Sequence, residues 1–245
     1  MPTHFLILGL PRSGSTYLTT LLNSHSEIRC AGELFNPYRI IGVERDVKND
    51  LEEVMERDIA PTRFANAFFR KEAKPNVSAV GFKFMIGHNT SYLQELSKND
   101  NLRLIYIYRE NRLAQSASWI TALKSKVWAQ KHAPLKQNKL DAGPRRISQH
   151  WHEAETTDFL FSHWLATLPH QKLKIEYKEM FRPGFREKLC DFLDVPLSKE
   201  MRSPLAKQGS NTVIDRFQYR KLVTRYMEQL GHAQWLGPEI DDTKP

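Results

Sequence analysis

Four short apolar runs punctuate the chain: residues 4–8 (HFLIL), 79–85 (AVGFKFM), 102–108 (LRLIYIY) and 172–177 (KLKIEY). Each is too short for a buried helix and rich enough in β-branched and aromatic residues to predict a strand. Between and after them lie longer stretches of helical composition, at 15–23, 111–124, 147–168, 184–193 and 218–230. Pro169 and Pro196 stand just beyond two of them, as helix stops do. Strands alternating with helices predict an α/β fold, a central parallel sheet flanked by helices on both faces. Ligands of such sheets bind at the carboxyl ends of the strands. That rule brings together the loop after residue 8, the end of the strand carrying Lys83, Arg109 and Tyr177. No repeat or low-complexity tract divides the 245 residues, so one domain spanning 1–245 is expected.

Composition narrows the class. Hydrophobic residues make up 40% and charged residues 26%, the balance of a soluble globular chain. No apolar run approaches the length of a membrane helix, and Met1-Pro2-Thr3-His4 lacks the basic start of a secretion signal. Cys30 and Cys190 are far apart, which suits a reducing, cytoplasmic setting. The net charge of +8 favours an anionic partner, although a solvated basic surface would give the same number. Residues 124–146 hold seven lysines and arginines together with Pro134, Gly143 and Pro144, and read as a mobile flap over 127–148. The aromatic interleaving of a nucleic-acid stacking platform is missing there, so nucleic acid is not the expected partner.

The densest chemical signal follows the first strand: Leu8-Gly9-Leu10-Pro11-Arg12-Ser13-Gly14-Ser15-Thr16. A strand, a glycine-bounded turn and a helix N-terminus form a phosphate cradle of backbone N–H groups. The spacing is that of a P-loop with one departure. Ser15 stands where a nucleoside-triphosphatase carries the lysine that reaches a γ-phosphate, and Arg12 supplies charge from the other side of Gly14. Arg109 follows the third strand directly, where an arginine fork suits two-point phosphate binding. A hydroxyl further along the next helix would share that anion, Ser118 by choice and Ser116 as the alternate.

This pairing resembles the sulfotransferases that use 3′-phosphoadenosine 5′-phosphosulfate as sulfuryl donor. The resemblance is nearest to the bacterial carbohydrate-type group, the trehalose and nodulation-factor sulfotransferases. It is carried by residues 5–25 (FLILGLPRSGSTYLTTLLNSH) and by Gly32-Glu33-Leu34, then by 81–84 and 106–119, and more weakly by 177–193. The resemblance implies that Pro11, Arg12, Ser13, Gly14, Ser15 and Thr16 hold the 5′-phosphosulfate. Arg109 and Ser118 would hold the 3′-phosphate, and Tyr177 would lie beside the adenine. Lys207, in the polar stretch 205–217, would add a phosphate contact.

It further implies Glu33 as the general base that takes the acceptor's proton, a role helped by a raised carboxyl pKa. Lys83, a lysine inside an apolar strand, would contact the transferring group together with Arg12. The animal enzymes' Lys-x-His pattern is broken by Met85 here, which leaves His88 as the reserve base. No metal is required by this scheme, and no ligand cluster stands out. His150 and His152 diverge on a helix. The acceptor is expected to be a hydroxyl of a carbohydrate or glycolipid, contacted by residues 35–58 and by the flap; a homodimer stays open. Two other readings remain, a P-loop small-molecule kinase and a non-catalytic nucleotide- or polyanion-binding module. The first lacks its lysine, and the second has no use for Glu33 and Lys83.

Overall fold

A computed structural model describes residues 1–98, 101–129, 139–207 and 209–241. Five parallel strands form one sheet: β1 (Thr3–Gly9), β2 (Ile28–Glu33), β5 (Ala79–Met85), β6 (Leu102–Tyr108) and β7 (Lys172–Glu176), ordered β2-β5-β1-β6-β7. A two-stranded antiparallel pair, β3 (Ile40–Ile41) and β4 (Val47–Lys48), lies beside it in the chain after β2. The helices are α1 (Ser15–Asn23), α2 (Leu51–Ile59), α3 (Pro61–Glu72), α4 (Thr90–Leu96), α5 (Arg112–Ser125), α6 (Pro144–Thr167), α7 (Phe185–Leu193) and α8 (Arg220–Gln229).

The central strand shows why the sheet is double-faced. Leu6 and Leu8 of β1 join a core with Phe35, Phe82, Phe84 and Tyr106. Phe5 and Ile7, on the opposite face, join one with Leu18, Leu21, Ile105 and Leu189. The period-2 alternation of side chains thus fills both faces of a run that is apolar throughout. A third core, including Leu113, Ile120, Leu140, Ile147, Trp151 and Phe217, seats α5 and α6 against the C-terminal segments.

The four predicted strands and the α/β order are present. β2 was not predicted; Arg29, Gly32 and Glu33 interrupt its six-residue pattern. The stretch 35–58, expected to contact the acceptor, contains β3, β4 and most of α2. Its signal was Asp50, whose carboxylate accepts from the Glu53 N–H as a helix cap at 3.0 Å. Of the segment read as a flap, residues 144–148 open α6, and Leu140 and Ala142 are buried in the third core. Leu140 is tied by its N–H to the Arg216 carbonyl at 2.8 Å. Residues 130–138 lie outside the described residues.

Candidate active site

The carboxyl ends of the strands supply two adjoining clusters of polar side chains, with the loop from Leu10 to Gly14 between them. That loop is shaped by two left-handed residues, Arg12 (φ 65°) and Gly14 (φ 100°), and is closed by the Ser13 N–H on the Leu10 carbonyl at 3.3 Å. Gly14 precedes α1 without any side-chain cap. The first-turn N–H groups of a helix have no acceptor within it, and here Gly14, Ser15, Thr16 and Tyr17 line a cavity. A Cβ at Gly14 would lie 2.6 Å from the Tyr177 ring and 2.7 Å from the Met180 methyl, so only glycine fits the turn. Pro11 and Ser13 shape the loop from behind. The Pro11 carbonyl accepts from Gln115 Nε2 at 2.9 Å, and the Ser13 hydroxyl is buried with no partner among the described residues.

The first cluster joins β2, β5 and α1. Glu33 and Lys83 are register partners across β2 and β5, just past a shift in pairing at Gly32. Gly32 is needed there because a Cβ would meet the Ile41 side chain at 2.5 Å. The irregularity turns Glu33 onto Lys83, with Nζ to Oε1 at 2.8 Å. Lys83 also donates to Thr16 Oγ1 at 3.0 Å, which links the carboxylate to the cavity wall. Asn36 Nδ2 donates to Glu33 Oε2 at 2.7 Å. Behind this turn, buried Arg57 donates to the carbonyls of Leu34 (3.1 Å) and Asn36 (2.7 Å), a support that the sequence did not reveal.

Burial alone would raise the Glu33 carboxyl, but Lys83, the hydrogen bonds from Lys83 and Asn36, and nearby His88 outweigh it. The net direction is downward, which corrects the expected raised value. His88 is pushed down to about 4, chiefly by burial and against the attraction of Glu33, with Lys83 and Arg57 adding to the fall. Its Nδ1 accepts from the Met85 N–H at 3.4 Å, and its Nε2 lies 3.8 Å from Glu33 Oε2.

The second cluster joins the loop to β6, α5, the short helical turn Tyr177–Phe181 after β7 and the C-terminal segments. Buried Arg109 stacks on the Tyr177 ring, 4.3 Å from its centroid. Its Nη1 donates to the Arg12 carbonyl at 3.0 Å. Arg12 Nε donates to Ser118 Oγ at 2.9 Å, and Arg12 Nη1 to the Trp128 carbonyl at 2.5 Å. Burial, then repulsion by Arg109, lowers the Arg12 guanidinium to about 10 despite attraction from Tyr177. Arg12, Arg109, Ser118, Tyr177 and Lys207 all line the same cavity as Gly14–Tyr17; Ser116 is buried elsewhere on α5. Arg216 lines it too, and Glu239 binds Arg109, Lys207 and Arg216 from behind. Neither Arg216 nor Glu239 was singled out from the sequence. Among the described residues, no three His, Cys, Asp or Glu side chains gather as metal ligands would, and His150 instead faces Glu153 at 3.8 Å.

A family model described as Sulfotransferase family matches residues 4–199, which include both the loop and the Glu33–Lys83 pair. The chain belongs to the sulfotransferase family. Nodulation protein H of Rhizobium meliloti (strain 1021) is 31% identical over 134 residues, covering 52% of this chain and 50% of that protein. Nodulation protein H of Rhizobium tropici is 30% identical over 131 residues, 52% of this chain and 49% of the relative. The matched stretch thus spans about half the length of these curated relatives. Among solved structures, a sulfotransferase from Alicyclobacillus acidocaldarius aligns over 96% of this chain and 98% of its own, with a TM-score of 0.52 at 15% identity. The sulfotransferase domain of the Synechococcus PCC 7002 olefin synthase aligns over 96% and 94%, with a TM-score of 0.50 at 16% identity. At those identities the likeness is one of fold. For this sulfotransferase, the family match ends before Lys207, Arg216 and Glu239, so the rear of the second cluster is read from this chain's own geometry.

Proposed function

We propose that this sulfotransferase moves a sulfuryl group from 3′-phosphoadenosine 5′-phosphosulfate to a hydroxyl of a carbohydrate-type acceptor, with Glu33 as general base. The observation that carries this reading is the hydrogen-bonded path Glu33–Lys83–Thr16, which runs from a carboxylate on β2 to the phosphate-cradle helix. The residues fit the donor. An uncapped helix start and a turn that admits only glycine suit the 5′-phosphosulfate, and the cations of the second cluster suit a separate 3′-phosphate. The donor, when bound, supplies an activated sulfuryl group and a phosphate leaving group.

Glu33 is held below the usual carboxylate range, so it is ionised at neutral pH and in the form that accepts a proton. The acceptor's O–H proton passes to Glu33 as the new O–S bond forms and the sulfur–oxygen bond to the 5′-phosphate breaks. Lys83 and the first-turn N–H groups of α1 offset the charge that develops on the departing phosphate oxygen. Lys83 also tunes the base. When its hydrogen bond turns toward that oxygen, Glu33 loses its strongest neighbour and becomes more basic. His88 Nε2 lies 3.8 Å from Glu33 Oε2, beside the carboxylate but beyond hydrogen-bond reach, and its lowered proton affinity makes it the weaker base candidate. The carbohydrate acceptor rests on the resemblance of the opening residues and on the matches to Nodulation protein H. Exposed Tyr38, two residues from Asn36, offers a ring on which a sugar can stack. Among the described residues, no helix is long and apolar enough to cross a membrane, and a cytoplasmic site of action is part of the proposal.

The test is a transfer assay with sulfur-labelled donor against oligosaccharide, glycolipid, phenol and simple-alcohol acceptors. Label should pass to a saccharide hydroxyl, and Glu33→Gln should lower kcat by about 10²–10⁴ with nucleotide affinity nearly unchanged. Turnover that survives Glu33→Gln rejects this base, and transfer confined to phenols rejects the acceptor class.

A further inference from the structure

Behind the second cluster sits one carboxylate shared by three cations. Arg109 grips Glu239 with both arms of its fork, Nε to Oε1 at 2.6 Å and Nη2 to Oε2 at 2.7 Å. Arg216 Nη2 reaches Oε2 at 2.9 Å, and Lys207 Nζ reaches the same oxygen at 3.2 Å. The Glu239 side chain is only 3% exposed. It is held by backbone pairing, not by a loose tail: the Glu239 N–H donates to the Asn211 carbonyl at 3.0 Å, and Asn211 is bonded on both sides to Ile240. This carboxylate is therefore a fixed backing to the cations that line the cavity.

The charges in this wall do not balance. Three cations meet one anion, and all three also line the cavity. An arginine offers five N–H donors and a lysine three. Arg109 directs three toward Glu239 and Arg12, Arg216 directs three toward Glu239, Ser210 and Ala114, and Lys207 directs two toward Glu239 and Asn211. Each donor count falls short of the residue's capacity, and all three residues line the cavity. A buried excess of positive charge is unfavourable unless an anion completes it.

We propose that Glu239 is a positioning residue that pre-arranges Arg109, Lys207 and Arg216 as a three-cation seat for the 3′-phosphate of the nucleotide. This deepens the donor reading above and rests on it. The carboxylate fixes the three side chains from the rear and leaves two positive charges uncompensated, a number matched to a phosphate monoester dianion. The state of Lys207 agrees: burial, with repulsion from Arg216 and Arg109, outweighs attraction to Glu239 and lowers it to about 8. A phosphate seated there restores its proton affinity, so nucleotide binding near pH 8 takes up a fraction of a proton and completes the charge on Lys207.

Calorimetry on the full chain tests this with adenosine 3′,5′-bisphosphate and adenosine 5′-monophosphate as paired probes. The wild-type protein should favour the bisphosphate by at least about tenfold. Glu239→Gln keeps the shape and removes the charge that holds the seat. It should erase about tenfold to a hundredfold of the bisphosphate affinity, while 5′-monophosphate binding changes less than about twofold. Equal losses for both probes would reduce Glu239 to a general structural role, and a tighter bisphosphate would make it a competitor of the phosphate; either outcome overturns the proposal. If Glu239→Gln does not fold, Lys207→Met carries the test. It should lose the bisphosphate preference and the buffer-dependent proton uptake near pH 8 while keeping its melting temperature, and retention of both preference and uptake overturns the seat. A wild-type protein without any preference for the bisphosphate rejects the donor reading itself, a failure visible before any variant is made.

Discussion

The two clusters at the strand ends differ in how they balance charge. Around Glu33 one carboxylate meets one ammonium, and neutral donors or acceptors from Thr16 and Asn36 complete the set. Its members sit on adjacent strands in register, a rigid frame that holds a proton acceptor against a cation at 2.8 Å. Around Glu239 the cations outnumber the carboxylate three to one, and Arg109 lies 130 residues from Glu239 in the chain. A balanced pair on rigid strands is suited to moving a proton, because small changes in Lys83 redistribute basicity. An unbalanced cluster is suited to holding an anion, because only a ligand completes it. On the proposed reading the Glu33–Lys83 pair is the transfer end of the site, and the cluster around Glu239, whose three cations line the cavity, is the nucleotide-grip end.

That division can be broken by substitution. After Glu33→Gln, the largest effect is expected from Lys83→Met, which should lower kcat by about 10²–10³ while leaving nucleotide affinity within a few-fold. A large loss of nucleotide affinity instead would place Lys83 in the grip. Arg109→Ala should do the reverse. It removes the bidentate partner of Glu239 while Lys207 and Arg216 remain, for a stability loss of about 1.5–3 kcal/mol by thermal or urea melts. It should also weaken adenosine 3′,5′-bisphosphate more than its 5′-monophosphate analogue, and equal weakening would detach Arg109 from the 3′-phosphate.

Smaller changes sharpen the contrast. Arg57→Met removes the donor from two buried carbonyls under the Glu33 turn, and melts should show a loss of about 1–3 kcal/mol. Asn36→Ala deletes a hydrogen bond that lowers the Glu33 carboxyl. The acidic limb of the pH–rate profile should therefore move to higher pH, with kcat at neutral pH changed by less than about tenfold. A limb that does not move would mean that another group titrates there. Glu239 is drawn down to about 2, where burial is overcome by Arg109, Arg216 and Lys207. Its contribution to stability is therefore complete above about 4.5 and fades as pH falls toward about 2. Melting temperatures of Glu239→Gln should lack that acid dependence.

The same contrast governs what could be read from the residues alone. The transfer end was largely legible. Gly14 and the run from Phe5 to Leu8 mark a strand, turn and helix locally, and Lys83 is conspicuous because the strand around it is apolar. Glu33 was pointed to by the family resemblance over Gly32-Glu33-Leu34, and the strand under it was not read at all, since Arg29 and a pairing irregularity obscure the alternation that marks a strand. The direction of its carboxyl also depended on the 2.8 Å contact with Lys83, which no spacing specifies. At the grip end Arg109 was legible as an arginine at a strand end. Arg216 and Glu239 were not, because an arginine in a polar loop and a glutamate near two aspartates look like ordinary surface residues. Only the folded chain brings Arg109 and Glu239 together across 130 residues.

The claim that joins both ends is that the cavity holds a nucleotide with phosphates at two positions and no γ-phosphate to reach. The most direct measurement is titration of the wild-type chain with adenosine 3′,5′-bisphosphate in chelator and, separately, with ATP and magnesium. The bisphosphate is predicted to bind without magnesium and at least about tenfold more tightly than ATP, since Ser15 replaces the lysine of a triphosphate loop. Tighter binding of magnesium–ATP would contradict the account.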